Sequence, residues 1–277
     1  MTLHDADRVD DAEQVLELVR DAEIVITKEM PLPARTFLRF PDSVRLLCEA
    51  GTGYNNLPVR AARARSVTVC NTPTYSTDAV AHMAITYLLN FSVSMFQQQH
   101  MLRCEQNRAN FTGPFTLPLH EVNGKVLGLI GGAGRIGTTV AQIGLALGMK
   151  IIISSRRGSL PDEHVLKNHP AVTCTADVNA LLQGFDYVSL HTPLNDETRG
   201  TFGRAQIEHM QRTAFLINTS RGAVCNEAKL IACLQEGRIA GAGLDVAFRR
   251  RSSCCTHCCS CTRWWHPLPC LLSAMRL

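Results

Sequence analysis

Between Lys125 and Arg157 the chain changes its hydrophobic rhythm twice. Val126, Leu127, Leu129 and Ile130 form a short apolar run that stops at Gly131 and Gly132. Ile136, Val140, Ile143 and Leu147 then recur at helical spacing, and Ile151, Ile152 and Ile153 restore the continuous run. A short continuous run predicts a parallel strand covered on both faces, while the spaced stripe predicts an amphipathic helix, with Gly148 as its left-handed C-cap. The segment therefore reads as strand, glycine turn, helix and second strand.

The same alternation extends along the chain. A short helix is predicted over residues 12–20, then strands at 23–27, 44–48 and 67–70, with a small helix over 59–65. Ser76 is placed to cap a long helix in which Val80, Met83, Ala84, Tyr87, Leu88, Phe91 and Met95 share a face. Residues 101–124, with several Gly and Pro, predict an irregular arm. Beyond Arg157, strands are predicted near Val172 and at 186–190, 214–217 and 241–244, with helices near 178–182, 206–210 and 227–235. Strands alternating with helices make an α/β class protein with a doubly wound parallel (Rossmann) sheet.

Composition narrows the class. The 277 residues are 45% hydrophobic and 19% charged, enough for two modest domains. No apolar run is long enough to span a membrane, and the start, MTLHDADRVDDAEQ, is acidic rather than signal-like, so a cytoplasmic protein is expected. The net charge of +4 comes from the last 29 residues, which hold five Arg and no acid; without them 23 basic residues face 24 acidic ones. A near-neutral body argues against nucleic acid as partner.

Gly132-Ala133-Gly134-Arg135-Ile136-Gly137 lies between strand and helix, where G-x-G-x-x-G binds a dinucleotide. Gly132 is expected to permit the turn, Gly134 to let the pyrophosphate reach the backbone, and Gly137 to let helix and strand pack closely. The exposed N–H groups of the helix start, at Arg135 and Ile136, would hold the phosphates. NAD enzymes place an acid about 20 residues past the glycines for the adenine ribose 2′-hydroxyl. Here the second strand ends in Ser154-Ser155-Arg156-Arg157, so NADP is favoured over NAD. Gly51, Gly53, Asn55 and Asn56 form a second loop after a strand, where the backbone N–H groups of Thr52 and Gly53 could hold a carboxylate; an ordinary turn would use the same residue types.

GTGYNN (51–56), YSTDAVA (75–81), GGAGRIG (131–137), HTPLNDETRG (191–200), LINTSRGAVCNE (216–227) and GAGLDV (241–246) occur in one order. In these segments the chain resembles the D-isomer-specific 2-hydroxyacid dehydrogenases, such as glyoxylate and hydroxypyruvate reductases and phosphoglycerate dehydrogenases. The resemblance implies hydride transfer between NAD(P)H and a small 2-oxo acid. It makes Arg221 the catalytic arginine that grips the substrate carboxylate and polarises the 2-oxo group, and Thr52 and Gly53 contacts to that carboxylate. It also implies that Thr192 and Pro193 line the cofactor cleft, that Thr219 and Ser220 lie near the nicotinamide ribose, and that Asp245 accepts the carboxamide N–H. Family members are commonly homodimers joined through the cofactor domain, a role that falls here to residues 77–124.

The chain departs from the family at both ends. Family members carry a glutamate five residues after the equivalent of Asp245 and then a histidine, in a T-P-H segment, that acts as general acid–base; here residue 250 is Arg and no T-P-H occurs. The tail from Arg249 has no periodicity and holds six of the twelve cysteines, so a reading-frame shift or misjoined exon is the favoured reading. A metal site built from Cys254, Cys255, His257, Cys258, Cys259 and Cys261, or redox or lipid-linked thiols, are the alternatives; no metal is expected elsewhere. Members also usually have a further strand and helix before the segment matching residue 2 onward. The expected organisation is a partial, flavodoxin-like substrate domain over 1–76, a dinucleotide-binding domain over 77–248 and a disordered Cys-rich tail over 249–277. With the glutamate and histidine missing, weak turnover is expected, and a non-catalytic dinucleotide-binding regulator is the alternative function.

Overall fold

Short strands alternating with helices build two separate parallel sheets, in a computed structural model that describes residues 11–103, 117–177, 179–246 and 270–273. The chain divides into two units, Met1–Thr77 and Asp78–Leu277.

In the first unit β1 (Ile24–Thr27), β2 (Leu46–Glu49) and β3 (Thr68–Asn71) pair in that order, all parallel. α1 (Ala12–Leu18) starts at Asp11, whose carboxylate accepts the Glu13 N–H, the usual way to satisfy a free helix N–H. α2 (Ala34–Phe37) was not expected; four residues after Pro33 are too few to show a period. α3 (Val59–Ala64) follows β2. Val15, Phe37, Phe40, Leu47 and Ala62 close the core of this unit, each large side chain contributing roughly 1.5–3 kcal/mol on burial.

The second unit opens with α4 (Thr77–Val93) and α5 (Met95–Arg103). The single long helix expected here is broken by Ser94, whose φ of 52° is left-handed. Met95 is therefore 52% exposed and leaves the buried face to which its spacing assigned it, and residues 101–103 end α5 rather than begin an irregular arm. Then follow β4 (Val126–Ile130), α6 (Arg135–Ala146), β5 (Lys150–Ser154), β6 (Val172–Thr175), β7 (Tyr187–Leu190), α7 (Arg204–Glu208), β8 (Phe215–Asn218), α8 (Glu227–Gln235) and β9 (Gly241–Leu244). The helix expected near 178–182 is a 3-10 segment, Asn179–Gly184. Of the tail, Cys270–Ser273 forms β10 beside β9, a correction to the expected disorder at those four positions. The cysteines and histidine weighed as metal ligands in the tail lie outside the described residues.

All seven strands are parallel, in the order β10-β9-β8-β7-β4-β5-β6. Strand order reverses between β4 and β7, the switch point at which doubly wound sheets bind ligands beyond the strand carboxyl ends. Leu127, Leu129, Ile151 and Ile153 lie in one core cluster with α4 and α6, and Val188, Leu190 and Leu216 in another with α7 and α8. This two-faced covering explains why these strands read as continuous apolar runs. Among the described residues no helix is long and apolar enough to cross a membrane.

Candidate active site

At the end of β4 the chain must reverse into α6 within a few residues. Gly131 does this with φ +75°, and its N–H donates to the Ser154 carbonyl at 3.0 Å. The left-handed residue of the turn is thus Gly131 and not Gly132, a correction to the role expected of Gly132. Gly132 is required for space instead, because a Cβ there would lie 2.5 Å from the Leu129 Cβ. A Cβ on Gly137 would come within 2.5 Å of the Gly132 Cα and O, so α6 and the loop touch through backbone alone. Gly134, the residue before α6, differs: a Cβ on it would meet nothing nearer than the Gly131 carbonyl at 4.0 Å. The loop is open on that side, and Arg135 and Ile136 start the helix beside it.

Thr192, after β7, packs against Gly131 across the switch point, a Cβ on that glycine lying 2.7 Å from its methyl group. His191 donates its backbone N–H to the Ile130 carbonyl at 2.8 Å, which ties the two strand ends together. Burial pushes the His191 imidazole down to about 4. Pro193 is exposed beyond them. At the end of β8 the fully buried Asn218 folds the turn that carries Thr219, Ser220 and Arg221. Its amide donates to the Arg221 carbonyl at 3.0 Å, and its side-chain oxygen accepts from the Ser220 N–H and hydroxyl at 3.1 and 2.8 Å. The half-buried Arg221 donates from Nη1 to the Ser220 carbonyl at 2.9 Å. Asp245, just past β9, donates its backbone N–H to the Asn218 carbonyl at 3.1 Å, so the β8 and β9 ends are held side by side.

At the end of β5, Ser155 donates its hydroxyl to the Ser159 carbonyl at 3.2 Å. Arg156 and Arg157 are exposed, Arg156 with Glu197 3.6 Å away. An ion pair that exposed is weak.

In the first unit the Gly51–Asn56 loop is organised by a group that sequence reasoning missed. Glu49, at the end of β2, is 1% exposed, and its carboxylate accepts from the Thr27 hydroxyl at 2.9 Å, the Glu29 N–H at 2.8 Å and the Asn56 amide at 2.7 Å. An acid closing the apolar run Leu46-Leu47-Cys48 was the available signal. Thr52 and Gly53 are half buried; the Thr52 carbonyl accepts from the Asn71 amide at 2.8 Å, and its hydroxyl pairs with that of Ser76 at 3.1 Å. Replacing Glu49 by Ala strands these three donors, and a loss of about 2–4 kcal/mol in unfolding free energy is expected from urea titration.

The second unit suits a nicotinamide dinucleotide on three counts. It has an open glycine loop at a helix start and a topological switch point. In addition, the buried hydroxyls of Thr192 and Thr219, at the β7 and β8 ends, have no hydrogen-bond partner, an uncommon state for buried polar groups. Among the described residues no group of three His, Cys, Asp or Glu is placed to hold a metal ion.

A fold of this order with such a loop defines a dinucleotide-binding α/β protein. The sequence profile of the D-isomer specific 2-hydroxyacid dehydrogenase NAD binding domain matches residues 85–262. Among curated proteins, the chain is 32% identical over 247 residues to a hydroxypyruvate reductase of Blautia hydrogenotrophica, covering 88% of this chain and 74% of that one. It is 34% identical over 235 residues to a glyoxylate reductase of Thermococcus litoralis, covering 84% and 69%. Among solved structures, an NADPH-dependent glyoxylate/hydroxypyruvate reductase of Sinorhizobium meliloti, in complex with NADP and malonate, is 30% identical with a TM-score of 0.75, covering 88% of this chain and 72% of that one. The chain belongs to the D-isomer-specific 2-hydroxyacid dehydrogenase family, oxidoreductases that use a nicotinamide dinucleotide.

Proposed function

We propose that the chain is a reductase of small 2-oxo acids of the glyoxylate or hydroxypyruvate class, with NADPH preferred to NADH. The observation that carries this reading is the Asn218–Arg221 turn, which holds one half-buried guanidinium at the carboxyl end of β8. The names of the reductases reported above support the substrate class and outweigh the regulator reading.

A nicotinamide dinucleotide held by the second unit would supply the hydride for the 2-oxo carbon. Arg221 grips the carboxylate with paired N–H donors and offsets negative charge as it develops on the carbonyl oxygen. Gly132, Gly134, Arg135, Ile136 and Gly137 are assigned to the diphosphate, and Thr192, Pro193, Thr219 and Ser220 to the rest of the dinucleotide. Asp245 is assigned to the carboxamide N–H, and Thr52 and Gly53 to carboxylate binding by the first unit. Arg221→Gln is expected to weaken binding of oxamate, a 2-oxo acid analogue, to the NADPH-loaded chain by roughly 10–100-fold, since hydrogen bonds to charged groups are worth about 1.5–3 kcal/mol. NADPH affinity itself should hold. Fluorescence titration measures both, and an unchanged oxamate affinity would remove Arg221 from the site.

The NADPH preference rests on Ser155, Arg156 and Arg157, which stand where an NAD enzyme places its acid. Replacing Arg156 and Arg157 together by Ala is expected to weaken NADPH roughly tenfold and leave NADH nearly unchanged. Equal affinity of the unsubstituted chain for NADH and NADPH would overturn the preference.

We also propose a homodimer through the second unit, supported by the exposed Leu89, Met95, Phe96 and Leu102 on α4 and α5. A cytoplasmic location is supported by the free thiols of Cys174, Cys225 and Cys233.

A further inference from the structure

We propose that Cys48 and Cys70 form a reversible oxidation site in the first unit, a dithiol that a hydroperoxide converts to a Cys48–Cys70 disulfide. The two residues are register partners on β2 and β3. Partner positions on parallel strands project to the same face, and the two sulfurs, as free thiols, lie 2.7 Å apart. Adjacent strands run about 4.8 Å apart, within the roughly 4.4–6.8 Å Cα separation that a disulfide spans. The register therefore sets the two residues within the reach of a disulfide.

Access to the pair is asymmetric. Cys70 is exposed and Cys48 half buried. Burial, and then its hydrogen bond with Cys70, push the Cys48 thiol up to about 11, and because Cys70 is the exposed member of the pair an oxidant from solvent meets its sulfur first. The buried Cys225, pushed up to about 12 by burial, is an inert thiol by comparison. The Cys70 thiolate attacks a peroxide oxygen, the O–O bond breaks, and the released oxygen takes up the proton that Cys70 lost. Cys70 is then a sulfenic acid. The Cys48 sulfur displaces its hydroxyl, the S–S bond forms, and that hydroxyl leaves as water with the Cys48 proton. Two electrons pass from the two thiols to the peroxide. The bond would lie beside Glu49 and Asn71, below the loop where the Asn71 amide donates to the Thr52 carbonyl and the Thr72 N–H donates to the Gly51 carbonyl at 3.0 Å.

Tryptic cleavage after Arg45, Arg60, Arg65 and Arg103 puts the two cysteines on separate peptides. The reduced full chain is titrated with hydrogen peroxide, remaining thiols are alkylated, and a non-reducing digest is read by mass spectrometry. The expected result is a linked pair of these two peptides, accounting for most of Cys70 and released by dithiothreitol. In a Cys48→Ser chain the same treatment should leave Cys70 as a sulfenic acid that dimedone traps. The proposal is overturned if both cysteines are still alkylated after oxidation. It is equally overturned if Cys70 passes to the sulfinic acid, or pairs with a tail cysteine, without the linked pair appearing.

Discussion

The 277-residue polypeptide, purified, is expected to bind NADPH and yet reduce glyoxylate or hydroxypyruvate about 10²–10⁴-fold more slowly than ordinary family members, because a positioned general acid–base is worth that much. Reduction of a 2-oxo acid needs a proton at the oxygen as hydride reaches the carbon. The family's T-P-H histidine supplies it, and these residues hold Arg250 and no T-P-H. His191 is the histidine nearest the β7 end, but burial holds it near 4, so at neutral pH it is an uncharged imidazole with no extra proton to give. Arg221, in the role proposed for it, would offset alkoxide charge but, as a guanidinium, cannot donate its own proton. Added imidazole should therefore raise the rate, in proportion to its protonated fraction and with no change in NADPH affinity. Steady-state assays with and without imidazole decide the matter: an ordinary family rate in plain buffer would refute the expectation.

Two glycines of the dinucleotide loop should separate binding from folding. Gly134 has φ −81° and ψ 171°, a backbone that any residue adopts, with open space where a side chain would project. Gly134→Val is expected to leave the melting temperature almost unchanged while weakening NADPH by roughly 100-fold or more. It would fill the approach to the helix N-terminus and cost one or two charge-assisted hydrogen bonds of about 1.5–3 kcal/mol each. In Gly137→Val the new side chain meets the Gly132 backbone at 2.5 Å, which cannot rotate away. That variant should lose about 1–3 kcal/mol of stability as well as cofactor. Calorimetry and cofactor fluorescence on both proteins give the comparison, and a Gly134→Val chain that binds NADPH normally would take the loop out of the site.

Much of the fold was legible from period alone. Leu127, Leu129, Ile151 and Ile153 read as covered strands because helices do cover both faces, and the α6 stripe Val140 and Ile143 followed from helical spacing. Failures fell where the signal was short or non-local. The four-residue α2 has no period to detect, and the break between α4 and α5 depends on a serine adopting a conformation that its residue type does not announce. Gly131 and Gly132 are interchangeable in a motif, and only the turn geometry assigns the left-handed φ to the first and the close approach to the second.

The sequence by itself determined the elements, the α/β class, the glycine loop at a helix start and the strand-end segments that carry candidate chemistry. Each of these is set by residues within a few positions of one another. Tertiary structure alone decided the strand order and hence the switch point between β4 and β7, where Gly131 meets Thr192. It also decided that Glu49 is a buried acceptor for three donors, that Asn218 folds the Arg221 turn, and that Cys48 faces Cys70. The physical reason is register: which side chains meet depends on how strands far apart in sequence align, and a continuous apolar run covered on both faces looks the same after a one-residue slip, so its pattern does not fix that alignment.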